Sequence, residues 1–150
     1  MESGERVTRI LALDVGLRRI GLAVSDPLGI TAQGLPTLQR THHGADLEHL
    51  AAVARQHDVH TLLLGLPLHM SGAEGRQTSY VRQLGAQLER HTHLPVVYWD
   101  ERLTTVQAER VLRSAELSQQ KRRAAVDRLS AVILLQSYLE YQGHLPTSQE

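Results

Sequence analysis

The 150-residue chain contains no cysteine. Disulfides, thiol catalysis and cysteine-ligated zinc are thereby excluded, and a reducing cytoplasm suits the composition. Aromatic residues are scarce: Tyr80, Tyr98, Trp99, Tyr138 and Tyr141 are the full set. A platform on which single-stranded bases would stack is poorly supplied. No apolar run approaches the ~18 residues of a membrane span, and the opening MESGERVTR lacks the apolar stretch of an export signal. The expected compartment is the cytoplasm, with no membrane association. Net charge is zero, so no global excess announces a polyanionic partner. Lysine occurs once, at Lys121; every other basic residue is arginine, the better bidentate phosphate ligand.

The charge distribution is less even than the total. Between Arg102 and Arg128 seven basic residues face three acids. A chain of this length buries about 68–70% of its unfolded surface, enough for a core without cross-links. One domain is expected, with its core over about residues 7–142 and frayed termini.

Apolar spacing divides the chain into alternating elements. Residues 7–15 (VTRILALDV) and 19–25 (RIGLAVS) read as two strands of a hairpin, and Asp26-Pro27-Leu28-Gly29 carries a type I turn signature. A weaker strand over 31–38, interrupted by Gly34 and Pro36, suits a sheet edge. Leu47, Leu50, Ala51 and Ala54 predict a helix over 45–57, and TLLLGL at 61–66 a buried strand. The Gly-punctuated loop 67–75 leads to a helix at about 76–91 with Val81, Leu84 and Leu88 on its apolar stripe. Residues 95–101 (PVVYWDE) form the last strand, and Thr104-x-x-Gln107 is a capping box opening a helix to about Leu117. A polar hinge, SQQKRR, precedes a final helix over about 124–142. Three antiparallel strands followed by alternating helices and strands give an α/β architecture, a mixed five-stranded sheet covered by helices on both faces.

Three acids stand out. Asp14 and Glu101 each close an apolar strand, and Asp127 sits in the first turns of the last helix, in line with Ala131, Leu134 and Tyr138. A carboxylate at the end of a buried strand is costly without a cation. Several converging carboxylates suit a hard divalent metal, which points to phosphate chemistry. Alternation along 95–101 puts Asp100 and Glu101 on opposite faces, and the pattern alone leaves open which of them faces Asp14. Asp127 also fits an ordinary first-turn acid complementing the helix dipole.

The segments ILALDVGLRRIGLAVSDPLG, LLLGLPLHMSGAEG, WDERLTT and VDRLSAVILLQSYL have an order and spacing that resemble a bacterial family. That family is similar to Holliday-junction resolvases and is described as a nuclease maturing the 16S ribosomal RNA precursor. The likeness spans about residues 7–142. It implies a ribonuclease-H-like fold and selects Glu101 over Asp100. It also implies that Asp14, Glu101 and Asp127 are catalytic and hold Mg²⁺ or Mn²⁺, with two ions expected. Its implied activity is phosphodiester hydrolysis in structured RNA (the 16S precursor) or branched DNA, leaving 5′-phosphate and 3′-hydroxyl ends. Junction resolution would require a homodimer, whereas trimming of RNA ends suits a monomer. The chain departs from the family at Leu17, His69 and Ser71, which bears on substrate preference more than on chemistry.

Arg18 and Arg19 follow Asp14, Arg102 adjoins Glu101, and Lys121, Arg122 and Arg123 precede Asp127; with Arg76 and His69 they are the expected nucleic-acid contacts. His42, His43, His57, His60, His91 and His93 lie in connectors or at helix ends without a matching carboxylate pattern, and read as solvated rather than zinc-ligating. Two other functions are compatible with parts of the pattern. DVGLRRIG resembles the phosphate-loop start of sugar-kinase and actin-like ATPases, but those use two such domains. A noncatalytic nucleic-acid-binding module in ribosome assembly or transcription would keep the fold without the chemistry.

Overall fold

A computed structural model describes the backbone of residues 9–103 and 119–143, with side chains for 9–102 and 129–142. Five strands form one mixed sheet in the order β3-β2-β1-β4-β5. They are β1 (Ile10–Val15), β2 (Arg19–Ser25), β3 (Ala32–Gln39), β4 (Thr61–Leu66) and β5 (Val96–Asp100). β1 pairs antiparallel with β2, and β2 with β3. β1, β4 and β5 run parallel. The helices are α1 (His43–Gln56), α2 (Arg76–Thr92) and α3 (Gln119–Gly143), with a 3₁₀ turn at Glu101–Leu103.

Period-two alternation sorts the strand residues onto two cores. Leu11, Leu13, Leu62 and Leu64 pack with Leu50 and Ala54 of α1 and with Val81, Leu84 and Leu88 of α2. Ile10, Ala12 and Leu63 face the other way, against Ala131, Leu134, Leu135 and Tyr138 of α3. Both faces of β1 and β4 are thus covered, which is why TLLLGL is continuously apolar. Leu13 and Leu64 are fully buried, and truncation of either to Ala costs about 2–5 kcal/mol.

β3 lies at the sheet edge, as Gly34 and Pro36 predict. A register shift opposite Gly21 pairs Ile20 with Leu38 and Leu22 with Leu35. The extra residue is a β-bulge, and it lets Leu35 and Leu38, three apart, bury in one core. At Asp26 the expected turn forms: the Gly29 amide donates to the Asp26 carbonyl at 2.9 Å, and the Asp26 carboxylate accepts from the amides of Ile30 and Thr31.

The C-terminal region corrects one expectation. SQQKRR is not a hinge: α3 is helical from Gln119, so Lys121, Arg122 and Arg123 lie within it. Gln, Lys and Arg are good helix formers, so a polar run of them does not by itself break a helix. Asp127 therefore falls in the third turn, not the first, and helix-dipole compensation no longer accounts for it. The helix expected over 104–117, with its capping box, lies outside the described residues.

Candidate active site

The parallel strands β1, β4 and β5 end on the same side of the sheet, where ligands of α/β folds bind. Asp14 is the penultimate residue of β1, the central strand, and Glu101 follows β5 directly. Asp14 continues the face of Ile10 and Ala12, and Glu101 that of Val97 and Trp99. Both acids are therefore on the α3 side of the sheet. Asp100 shares the opposite face with Tyr98 and Val96, which pack on the α2 side.

β4 runs between the two acids in the sheet, yet their carboxyl groups hydrogen-bond to each other. Gly65 makes the contact possible. A Cβ at that position would lie 2.5 Å from Glu101 Oε2 and 2.8 Å from its Cγ. Glu101 thus lies across the bare backbone of β4 to reach Asp14. Burial, together with the charge and hydrogen bond of Asp14, pushes Glu101 up to about 8. A carboxyl raised in this way marks a place where a cation would neutralise two converging carboxylates. Hard, anionic oxygens on rigid strand ends fit Mg²⁺ or Mn²⁺ and not a soft metal.

Among the described residues no group of three His, Asp or Glu side chains converges in metal-holding geometry. Asp127, the third acid of the expected set, lies one turn before Ala131, which faces the sheet; its side chain is outside those described.

Asp100 has a different job. The Arg102 guanidinium bonds its carboxylate through Nε (3.0 and 2.9 Å) and Nη2 (2.6 Å), holding Asp100 below the ordinary carboxylate value. The same guanidinium donates from Nη1 to the Met70 carbonyl at 3.0 Å. Arg102 thereby ties the 67–75 loop to the end of β5, and part of its charge is already matched.

That loop is held from within as well. The Gly72 amide donates to the His69 carbonyl (2.8 Å), with Gly72 at φ +90°, where a side chain would be strained. Buried Thr78 donates to the Pro67 carbonyl (3.0 Å) and accepts from the Gly75 amide (3.2 Å). His69 is exposed, with its imidazole against Gly75 at the start of α2. Arg76 is exposed one residue further on, and Arg18 and Arg19 are exposed on the turn after Asp14. The side chains of Lys121, Arg122 and Arg123 are outside those described.

Sequence reasoning passed over Gly65, although a glycine inside an apolar strand signals close approach. It also passed over a buried ion pair beside the site. Arg40 Nε lies 3.2 Å from Asp46 Oδ2, with side chains only 9% and 3% exposed. Arg40 also donates to the Gly16 carbonyl at 3.1 Å and to the Tyr80 hydroxyl, with its guanidinium over the Tyr80 ring. Asp46 had a signal, as an acid in a first helical turn; Arg40 had none.

Comparison with known proteins agrees with this geometry. The family model described as "RuvX: Holliday junction resolvase" matches residues 8–141. A Koribacter versatilis protein is 56% identical over 135 residues, covering 90% of this chain and 88% of its own length. One from Heliobacterium modesticaldum is 44% identical over 142 residues, covering 95% of each. Both are named "Putative pre-16S rRNA nuclease". Among solved structures, Thermus thermophilus RuvC in complex with a Holliday junction substrate is similar with TM-score 0.58 at 12% identity, over 91% of this chain and 96% of that one. The fowlpox virus resolvase bound to Holliday junction DNA is similar with TM-score 0.52 at 14% identity, over 90% and 99%. At those identities the structures speak for the fold, which is ribonuclease-H-like, and the sequence matches for the lineage: the chain belongs to the RuvX family of Holliday junction resolvase-like proteins.

Proposed function

We propose that this protein is a metal-dependent nuclease of the cytoplasm that hydrolyses phosphodiester bonds in structured nucleic acid, acting at the 5′ end of pre-16S ribosomal RNA. The observation that carries the reading is the Asp14–Glu101 pair, two carboxyl groups held together over Gly65 at the ends of parallel strands. The RNA substrate is favoured by the names of the two relatives that match nearly the whole chain.

Asp14, Glu101 and Asp127 would hold one or two Mg²⁺ or Mn²⁺ ions. Bound there, such ions activate water and steady the leaving oxygen of an in-line displacement. Asp14, on the central strand, would be one of the residues holding them. A cation held there would favour the charged form of Glu101, which would link loading to deprotonation. Arg18 and Arg19 flank the acid pair and suit phosphates on one side of the cut. His69, Arg76 and Arg102 border the 67–75 loop and suit the other side, with Lys121, Arg122 and Arg123 adding charge from α3. With few aromatics, recognition rests on backbone charge and shape.

A second reading is resolution of four-way DNA junctions in recombination and repair, favoured by the description of the family model. Two symmetric cuts would then require a homodimer. The test compares labelled ribosomal precursor, a four-way DNA junction and single strands in Mg²⁺ or Mn²⁺, with wild type and Asp14→Asn. Cutting of the precursor that disappears in the variant supports the reading. Cutting of the junction alone by a dimer replaces RNA with DNA. Binding without cutting of either makes the protein a noncatalytic binding module.

A further inference from the structure

A cleft of about 500 Å³ opens beside the turn that follows Asp14, with Leu17, Arg18, Arg40, His43, Asp46 and Tyr80 among the residues lining it. Nothing in the proposed chemistry uses Arg40, His43 or Tyr80. We propose that this cleft is a subsite for a backbone phosphate near the cleaved bond, held by Arg18, by the Arg40 guanidinium and by the first amides of α1. The inference rests on the nuclease reading for its polynucleotide and on the cleft's own chemistry for its phosphate.

Arg40 is built into the floor rather than draped over it. Asp46 takes its Nε, while the Gly16 carbonyl and the Tyr80 hydroxyl take Nη1. Nη2 makes no hydrogen bond among the described residues, and neither does the Arg18 guanidinium. A fork fixed on one edge and open on the other loses little freedom on meeting an anion. Two arginines outweigh the single Asp46 carboxylate, and that carboxylate is already engaged by Arg40 and by the Thr41 amide.

The start of α1 adds donors. His42 caps the helix: its carbonyl accepts from the Asp46 amide and its Nδ1 from the Ala45 amide. The His43 and Gly44 amides find no acceptor among the described residues, as expected of a first turn, and the positive end of the helix favours an anion there. Continuity with the acid pair sets the register. The Arg40 amide donates to the Arg18 carbonyl, and its side chain grips Gly16, two residues past Asp14. A strand whose scissile phosphate meets Asp14 would pass over this turn into the cleft. The ligand class is a phosphodiester of RNA or DNA.

Two measurements test the inference. The first titrates inorganic phosphate into wild type and Arg18→Ala, against chloride of equal ionic strength, following amide and arginine Nε–H resonances. Saturable shifts are expected at His43, Gly44 and Arg40, weakened several-fold in the variant; Arg18 is exposed, so the variant should fold. Shifts elsewhere, or none, overturn the site. The second places single methylphosphonate linkages along the ribosomal precursor and a four-way DNA junction, and measures binding in EDTA. Neutralising one linkage should weaken wild type about five- to tenfold, the size of one exposed charge-assisted contact, and have no further effect in Arg18→Ala. Additive losses at every linkage overturn the phosphate assignment, and the substrate showing the coupling identifies RNA or DNA as the source. Saturable phosphate binding in the cleft by a protein that binds neither polynucleotide would instead overturn the nuclease reading, leaving the anion site intact.

Discussion

Within a few residues of one another the protein holds two ionic arrangements of opposite design, one buried and one half-buried. Asp46 and Arg40 form a pair of unlike charge whose remaining polar atoms are met by Gly16, Thr41 and Tyr80. Asp14 and Glu101 are alike, and their closeness helps push the Glu101 carboxyl up to about 8. A matched pair is complete within the chain and serves to fix geometry. A like-charged pair favours positive charge beside it, which the proposed cation would supply. The difference separates a framework from a reactive centre more sharply than burial does.

Removing one member of each pair should produce different losses. Asp14→Asn should abolish metal-dependent cleavage, by about 10²–10³-fold or more given several kcal/mol of metal stabilisation, while leaving the folded protein at least as stable at high pH. Asp127→Asn should impair cleavage similarly; full activity there would remove it from the metal set. Asp46→Ala should act the other way, stranding a buried guanidinium and costing about 3–5 kcal/mol in chemical denaturation. A smaller stability loss at Asp46 than at Asp14 would invert the comparison.

Gly65→Ala comes next. The new methyl group must displace Glu101 or shift β4, so cleavage should fall about 10–100-fold, as when the support of a metal ligand is disturbed, at about 1–3 kcal/mol in stability. Unchanged activity would mean that Glu101 does not need its place beside Asp14.

Titration sharpens the contrast without mutation. Glu101 keeps its proton to about 8 in the folded chain against 4.5 for the ordinary group. Over that interval the folded state binds more protons than the unfolded one, so stability falls as pH rises and levels off above about 8. Mn²⁺ should bind more tightly as pH rises through the same interval and release a proton as it binds, measurable by calorimetry in two buffers of different ionisation enthalpy. A flat pH profile would show that the carboxyl groups are not coupled. The smallest effect is expected at Asp100→Asn, which keeps the sheet face of Glu101 and should retain most activity; loss equal to that at Glu101 would assign the wrong acid to the centre.

Much of this was legible along the chain. Hydrophobic period placed all five strands and the three described helices, since alternation and 3.6-residue spacing are imposed by which side of each element is wet. The boundary at SQQKRR failed because a polar run occurs in helices and loops alike. Asp14 and Glu101 could be named as acids closing apolar strands, and spacing left Asp100 and Glu101 open. The family resemblance selects Glu101, and the structure puts Glu101 on the sheet face of Asp14.

Amino-acid order by itself determined the element types, the two cores and the candidate acids, because those follow from local spacing and from the cost of burying charge. Only the tertiary structure decided that Glu101 crosses Gly65 to meet Asp14, and that Arg40 joins Gly16, Asp46 and Tyr80. Such contacts depend on which strands become neighbours, and strand order is set by the packing of the whole sheet rather than by any single segment.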